Sequence, residues 1–308
     1  MDARDVNNHQ NDYSSAEFRA NVRRRKRELR RAETKKFWKR FCKNKAAVVG
    51  LVLFGLIVVM AIFAPLIAPY SAYDNSFSVK TAPNTMNLCG TDELGRDVLS
   101  RTIYGARVSL IVGVAASLLS TFVGVVVGCV AGYTGKFTST ALMKVTEVFQ
   151  MLPMFFVGIL LSSIFGPSLT LIVLVIGLMG WPSCARVVRG EFLSLREQEF
   201  VTAARSIGSG RLSIMFSEIM PSVIPQIIVN ASMRMATAIM MEATLNFFGC
   251  GDPVLVSWGK LLNDSRSFLR AAPWASIVPG IAVLLTVLSI NLLGDGLNDA
   301  LNPKLRER

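Results

Sequence analysis

The chain has 308 residues, 52% of them hydrophobic and 18% charged, with a mean hydropathy of +0.45. Soluble domains carry more charge, so the two soluble domains that this length would otherwise allow are excluded. The net charge of +12 would suit a nucleic-acid binder, but fifteen of the thirty-three Lys and Arg lie in residues 1–45, and no aromatic residue interleaves Arg23-Arg24-Arg25-Lys26-Arg27 as a single-strand reader needs.

A basic block directly before an apolar span reads as a topology anchor. Residues 1–36 are therefore expected to be a disordered, solvated tail, followed by the uncharged run Ala46–Ala68, "AAVVGLVLFGLIVVMAIFAPLIA". At 1.5 Å per residue that run crosses the roughly 30 Å hydrocarbon layer. It is too long for a signal peptide, and its leader is about twice the usual length. Five further spans are expected at about 108–132, 140–165, 168–187, 217–245 and 275–294. Six crossings put both termini on one side. With that side cytoplasmic, the inner segments hold twenty-five of the thirty-three Lys and Arg and the outer loops seven, which fixes the orientation. The expected fold is an all-α polytopic membrane bundle of six transmembrane helices, because open sheets cannot satisfy their backbone in lipid.

Motifs for chemistry are scarce. The single histidine, His9, lies in the tail, so a histidine triad or zinc site is not expected, and no catalytic or metal residues are assigned. The five cysteines show no C-x-x-C spacing. Cys129 and Cys184 read as small packing residues and Cys42 as a reduced thiol, whereas Cys89 and Cys250 fall in expected outer loops. A disulfide could persist there, and both pairing and two free thiols stay open. The stretch "VAGYTGKF" at 130–137 brushes against a phosphate loop, but Val130 and Phe137 stand where that motif needs glycine and Ser or Thr. No cofactor or nucleotide is expected on this chain.

Gly124, Gly128 and Gly132 recur every four residues in the second span, stripping one helix face for close packing. Glu147, Arg234 and Glu242 fall inside expected spans, where a charge facing lipid would cost roughly 2.5–3.5 kcal/mol at the bilayer centre. Lys144 and Glu147 are spaced to pair. For Glu147 and Glu242, structural pairing and lining of a translocation or gating path are both open. Arg234, with no obvious local partner, leans to the path.

Between the fourth and fifth spans the sequence turns polar: "EFVTAARSIGSGRLSIMFSEIMP" at 199–221. Ser194 and Glu197 have capping-box spacing, predicting a helix from near Leu195. Phe200, Ala203, Ala204 and Ile207 would share one face, with Gly208 closing the helix in the left-handed conformation, and the small residues would let another protein approach closely. Leu212, Met215, Phe216 and Ile219 would line one side of a second helix.

That segment resembles the coupling loop of binding-protein-dependent ABC importer permeases, whose pattern is Glu-Ala-Ala, three residues, Gly, and a Leu-Pro-like close. Ala203, Ala204, Gly208 and Pro221 match; Thr202 replaces the glutamate and Met220 the leucine, which removes a charge often available at the subunit interface. The resemblance runs along nearly the whole chain from about residue 35. It narrows to the second (C-type) permease of the dipeptide/oligopeptide/nickel subfamily through "CGTDELGRDVLSRTIYGARVSLIVG" at 89–113, "EATLNFFGCGDPVLVSWGKLL" at 242–262 and "NLLGDGLNDALNPKLR" at 291–306. The short "CGDPVLVSWG" departs from the longer proline-rich stretch of such subunits.

The resemblance implies a type I ABC importer permease fold. Residues 37–90 would form an N-terminal region with the first helix, and 91–308 a five-helix core with a coupling loop at about 190–216. It implies coupling residues Glu199, Thr202, Ala203, Ala204, Arg205, Gly208 and Gly210. The implied partners are a second homologous permease, two cytoplasmic ATPase subunits that bind ATP and Mg, and an extracytoplasmic solute-binding protein. The implied location is a bacterial cytoplasmic (inner) membrane, and the implied cargo is peptides, or else nickel chelates, glutathione or antimicrobial peptides. The rival class, an ATP-independent channel or secondary transporter, would be expected to show internal repeats, and no convincing repeat is present.

Overall fold

The computed structural model describes residues 34–301 together with Arg24, Arg25 and Ala32. Most of the basic tail, His9 included, lies outside the described residues. Asn44 caps the first long helix, α1 (Lys45–Ile62), accepting from the Ala47 N–H, and donates to Asp299 at 3.0 Å. One side chain thus fixes both the start of α1 and its position against the last helix. After a short turn and the 68–97 loop comes α2 (Val98–Tyr133), capped by Asp97, whose carboxylate accepts from the Ser100 N–H at 2.7 Å. α2 begins about ten residues before the expected second span.

The expected single span over 140–165 is two helices, α3 (Lys136–Met151) and α4 (Met154–Phe165), bent by 74°. Pro153 is the cause. Its ring disfavours helical geometry at the preceding residue, and Leu152 is accordingly extended at φ −79°, ψ 117°. α5 (Leu169–Arg196), α6 (Glu199–Ser206), α7 (Met220–Phe247), α8 (Trp258–Ser265) and α9 (Trp274–Leu301) follow. α7 is entered through a π-helical stretch, Ile214–Ile219, that continues the helix without a break.

Five helical stretches are long and apolar enough to cross a membrane, and the bent α3–α4 pair makes a sixth if counted as one span. Among the described residues the chain is helical apart from turns, loops and one isolated bridge between Thr91 and Asp97. α2 packs along α5, and α9 packs against α1 and α7. One apolar cluster, with Ile57, Leu110, Ile239 and Ile290, joins α1, α2, α7 and α9. A second, with Val188, Phe192, Val201 and Ile219, reaches the loop between α5 and α7. Large exposed apolar side chains such as Leu56, Phe122 and Phe156 cover the outside of the bundle, as a lipid or subunit environment requires.

Candidate functional site

The polar break between α5 and α7 is a short hairpin seated on the bundle. α5 runs through Ser194 to Arg196, so the predicted start near Leu195 is not where the new helix begins. The chain breaks at Glu197 and Gln198, and α6 starts at Glu199 with no side-chain cap. Phe192 is fully buried beneath this end of α5, and packing there carries α5 past the local capping signal. α6 ends in a Schellman closure: Gly208 at φ +82°, its N–H bonded to the Arg205 carbonyl, and the Ser209 N–H bonded to the Ala204 carbonyl at 3.1 Å. Gly210, with Gly208 in open surroundings, leads into the second helical segment.

The face predicted to carry Phe200, Ala203, Ala204 and Ile207 together is divided between the bundle and the outside. Val201 and Ala204 are buried against Phe192, Ile214, Met215 and Ile219. Phe200, Ala203 and Ile207 point away, with Ile207 83% exposed. On the second segment Met215 and Ile219 are buried, while Leu212 and Phe216 are exposed. Glu199, Thr202 and Arg205 are exposed as well. The hairpin is therefore held by one apolar stripe and presents another.

Its footing is α5, and α5 is held by the glycine face of α2. A methyl group added at Gly128 would stand 2.7 Å from the Ala185 carbonyl oxygen and from Val188 Cβ; Gly124 likewise faces Cys184, and Gly132 faces Phe192. Helix backbones approach this closely only where side chains are absent. The same stretch of α5, residues 184–192, thus contacts α2 on one side and the hairpin cluster through Phe192.

The three intramembrane charges sit in different settings. Glu147 pairs with Lys144 at 2.8 Å on an exposed face of α3. Glu242 is fully buried; it accepts from the Ser109 hydroxyl at 3.0 Å and from the Asn246 amide, which also donates to Ser257. This ties α2, α7 and the start of α8 together. Arg234 does have one local partner, Asn230, one turn back, which accepts from Nε at 3.1 Å; the Ser120 hydroxyl on α2 accepts from Nη1 at 3.1 Å. Among the described residues no carboxylate pairs with it. It opens onto a cavity of about 420 Å³ between α5, α7 and the α3–α4 break.

Residues 124–307 match the family described as binding-protein-dependent transport system inner membrane component, and residues 34–86 match the N-terminal TM domain of oligopeptide transport permease C. The chain belongs to the binding-protein-dependent transport system inner membrane component family. It is 38% identical over 271 residues to the dipeptide transport system permease protein DppC of Alkalihalophilus pseudofirmus, covering 87% of this chain and 89% of the relative. It is 37% identical over 270 residues to the oligopeptide transport system permease protein OppC of Bacillus subtilis, covering 87% and 88%. A solved structure of the MetNI methionine ABC transporter in inward-facing conformations matches with a TM-score of 0.56 at 16% identity, covering 66% of this chain and 96% of that chain. That likeness speaks for the fold: an ABC importer permease.

At the opposite end from the hairpin, this inner membrane component carries an ion network that the residue-by-residue reading missed. Asp92 accepts from Arg96 Nε at 2.8 Å, from Arg101, and from the Leu94 and Arg96 backbone N–H groups. Asp264 on α8 accepts from Arg101 at 3.4 Å and Lys260 at 2.6 Å. Burial alone would raise the Asp92 carboxyl, but the Arg96 N–H and the Arg101 and Arg96 charges outweigh it and hold the group below its ordinary value. The signal was the alternation of acid and base in "TDELGRDVLSR"; its partner at Asp264 was not visible. Cys89 and Cys250 are free and lie in separate clusters, Cys89 beside Val98 and Ala272, and Cys250 beside Val175 and Leu245.

Proposed function

We propose that this chain is one of two homologous permeases of an ATP-driven importer in a bacterial cytoplasmic membrane, with both termini and the hairpin in the cytoplasm. Two ATPase subunits, carrying the ATP and Mg, sit beneath the bundle, and one of them receives α6 in a groove. An extracytoplasmic binding protein delivers the cargo, which is peptide; the names of the relatives from Alkalihalophilus pseudofirmus and Bacillus subtilis support that class.

The observation that carries this reading is the outward stripe Phe200, Ala203 and Ile207 on a short helix anchored from behind by Val201 and Ala204. An exposed apolar face on a rigidly closed element suits a protein partner better than water. Thr202, Arg205 and Glu199 rim it with polar contacts. Force delivered there passes through Phe192 into α5, and from α5 into α2 across the glycine face. ATP-driven closure of the ATPases thereby rocks packed helices as bodies, the bias coming from ATP's differential affinity for the two states.

The test is co-purification after mild solubilisation, together with uptake. The intact assembly should bring two ATPases and a second permease. Replacing Gly208 by valine, which strains a left-handed position, should abolish uptake while membrane insertion is retained. A chain that purifies alone and takes up peptide without ATPases would end this reading.

A further inference from the structure

Arg234 lies inside the continuous helical span Arg211–Phe247, twenty-three residues from its start and thirteen, or about 20 Å, from its end. A guanidinium at that depth is retained for a reason, since intramembrane charge is costly and points to ion or substrate pathways. Two of its nitrogens are held by neutral oxygens, Asn230 Oδ1 and Ser120 Oγ, which fix its direction without neutralising it. No acceptor for Nη2 is found among the described residues, and Arg234 lines the cavity. Gly180 makes room, because a methyl group there would stand 3.1 Å from Nη1. The cavity of about 420 Å³ that it lines also has Met154, Met179 and Met233 in its wall. Gln150 and Met154 bring the α3–α4 break to the same wall. Non-helical backbone at membrane depth is tolerated where it lines a cavity.

We infer that Arg234 is a cargo-binding residue that takes the C-terminal carboxylate of a peptide in transit, while the methionines accommodate its variable side chains. This rests on the importer reading above. The chemistry divides as a peptide does. A carboxylate is the invariant group, and a fixed, always-charged fork with a free nitrogen is its natural acceptor. Side chains vary, and flexible, polarizable methionines re-pack around unlike shapes. The volume falls within the range of small-ligand sites.

The experiment uses the whole importer with its binding protein in proteoliposomes, fed one apolar tripeptide as the free acid and as the C-terminal amide. The binding protein contributes its own preference, which cancels when the acid-to-amide uptake ratio of Arg234→Met is divided by that of the wild type. A lost charge-assisted hydrogen bond should lower that ratio about tenfold or more, through loss of acid uptake. Binding-protein-stimulated ATP hydrolysis should stay within about twofold, and Arg234→Lys should retain a clear acid preference. An unchanged ratio, or ATP hydrolysis and uptake of both peptides falling together in both variants, would overturn the assignment while leaving the importer standing. No uptake of either peptide by the wild-type assembly would instead overturn the peptide-importer reading, and this site with it.

Discussion

The Ser109 hydroxyl on α2 donates to the Glu242 carboxylate on α7 at 3.0 Å, across 133 positions of sequence. Around that bond the Trp258 N–H donates to Ser109, and Asn246 bridges Glu242 and Ser257. A carboxylate buried to this degree is stable only with its acceptor capacity used. The arrangement favours a structural role for Glu242 over the path. Removing it by Glu242→Ala would leave the Ser109 and Asn246 donors unpaired, at about 1–3 kcal/mol each. The expected result is a lower thermal midpoint in detergent and reduced accumulation. Glu242→Gln should cost less, because one acceptor oxygen remains and a serine hydroxyl can turn to accept. A normal thermal midpoint in Glu242→Ala with uptake lost would return Glu242 to the path.

Gly128 and Val188 set the spacing of α2 and α5. Gly128→Leu should separate the helices and cost about 1–3 kcal/mol or more from overpacking against Val188 and the Ala185 carbonyl. Gly55→Ala on α1, where an added methyl meets nothing within 4 Å, should be neutral in the isolated chain. Thermal unfolding of the two variants side by side checks this. Equal stability would mean that the glycine face is not what holds the pair.

What could be read from the sequence follows from what lipid and backbone sterics leave no choice about. Uncharged runs became long helices because a membrane offers the backbone no other partner. Gly208 closes α6 because few other residues accept φ +82°. Which apolar stripe of α6 turns to the bundle was left open by the sequence for a physical reason. The stripes Phe200–Ala203–Ile207 and Val201–Ala204 are both apolar, and periodicity cannot tell a face that meets its own chain from one that meets a partner. The bend inside the 140–165 span was not legible because a hydropathy window has no direction, although Pro153 was there to be weighed. Asn230, one turn before Arg234, was legible as a partner; Ser120, 114 positions away, was not.

Asp92 gives the region opposite the hairpin a defined pH dependence. Its folded-state carboxyl is held below the ordinary 3.8, so the stability it contributes is fully present above that value. It is lost as pH falls further, through the lower folded value. Asp92→Asn is uncharged throughout. The gap in thermal midpoint between wild type and Asp92→Asn should therefore be constant near neutrality and narrow below about pH 4. A gap independent of pH down to about 2 would show that the Arg96 and Arg101 charges contribute nothing through this carboxylate.

The two stripes of α6 separate fold from partnership, and single substitutions can address each. Ile207→Asp alters a side chain that is 83% exposed and touches no buried cluster, so the hairpin and bundle should keep their stability. If this face seats in an ATPase, a charge at the centre of an apolar contact should weaken association by about tenfold or more. Val201→Asp puts a charge among Phe192, Ile214 and Ile219, which should loosen the hairpin itself and lower the thermal midpoint. The expected pattern is thus divergent. Ile207→Asp should yield a stable permease that no longer retains ATPases in a pull-down, and Val201→Asp a destabilised one. Retention of ATPases by Ile207→Asp and Phe200→Asp alike would place the docking surface elsewhere, because these are the two large apolar side chains that α6 and its closing turn expose.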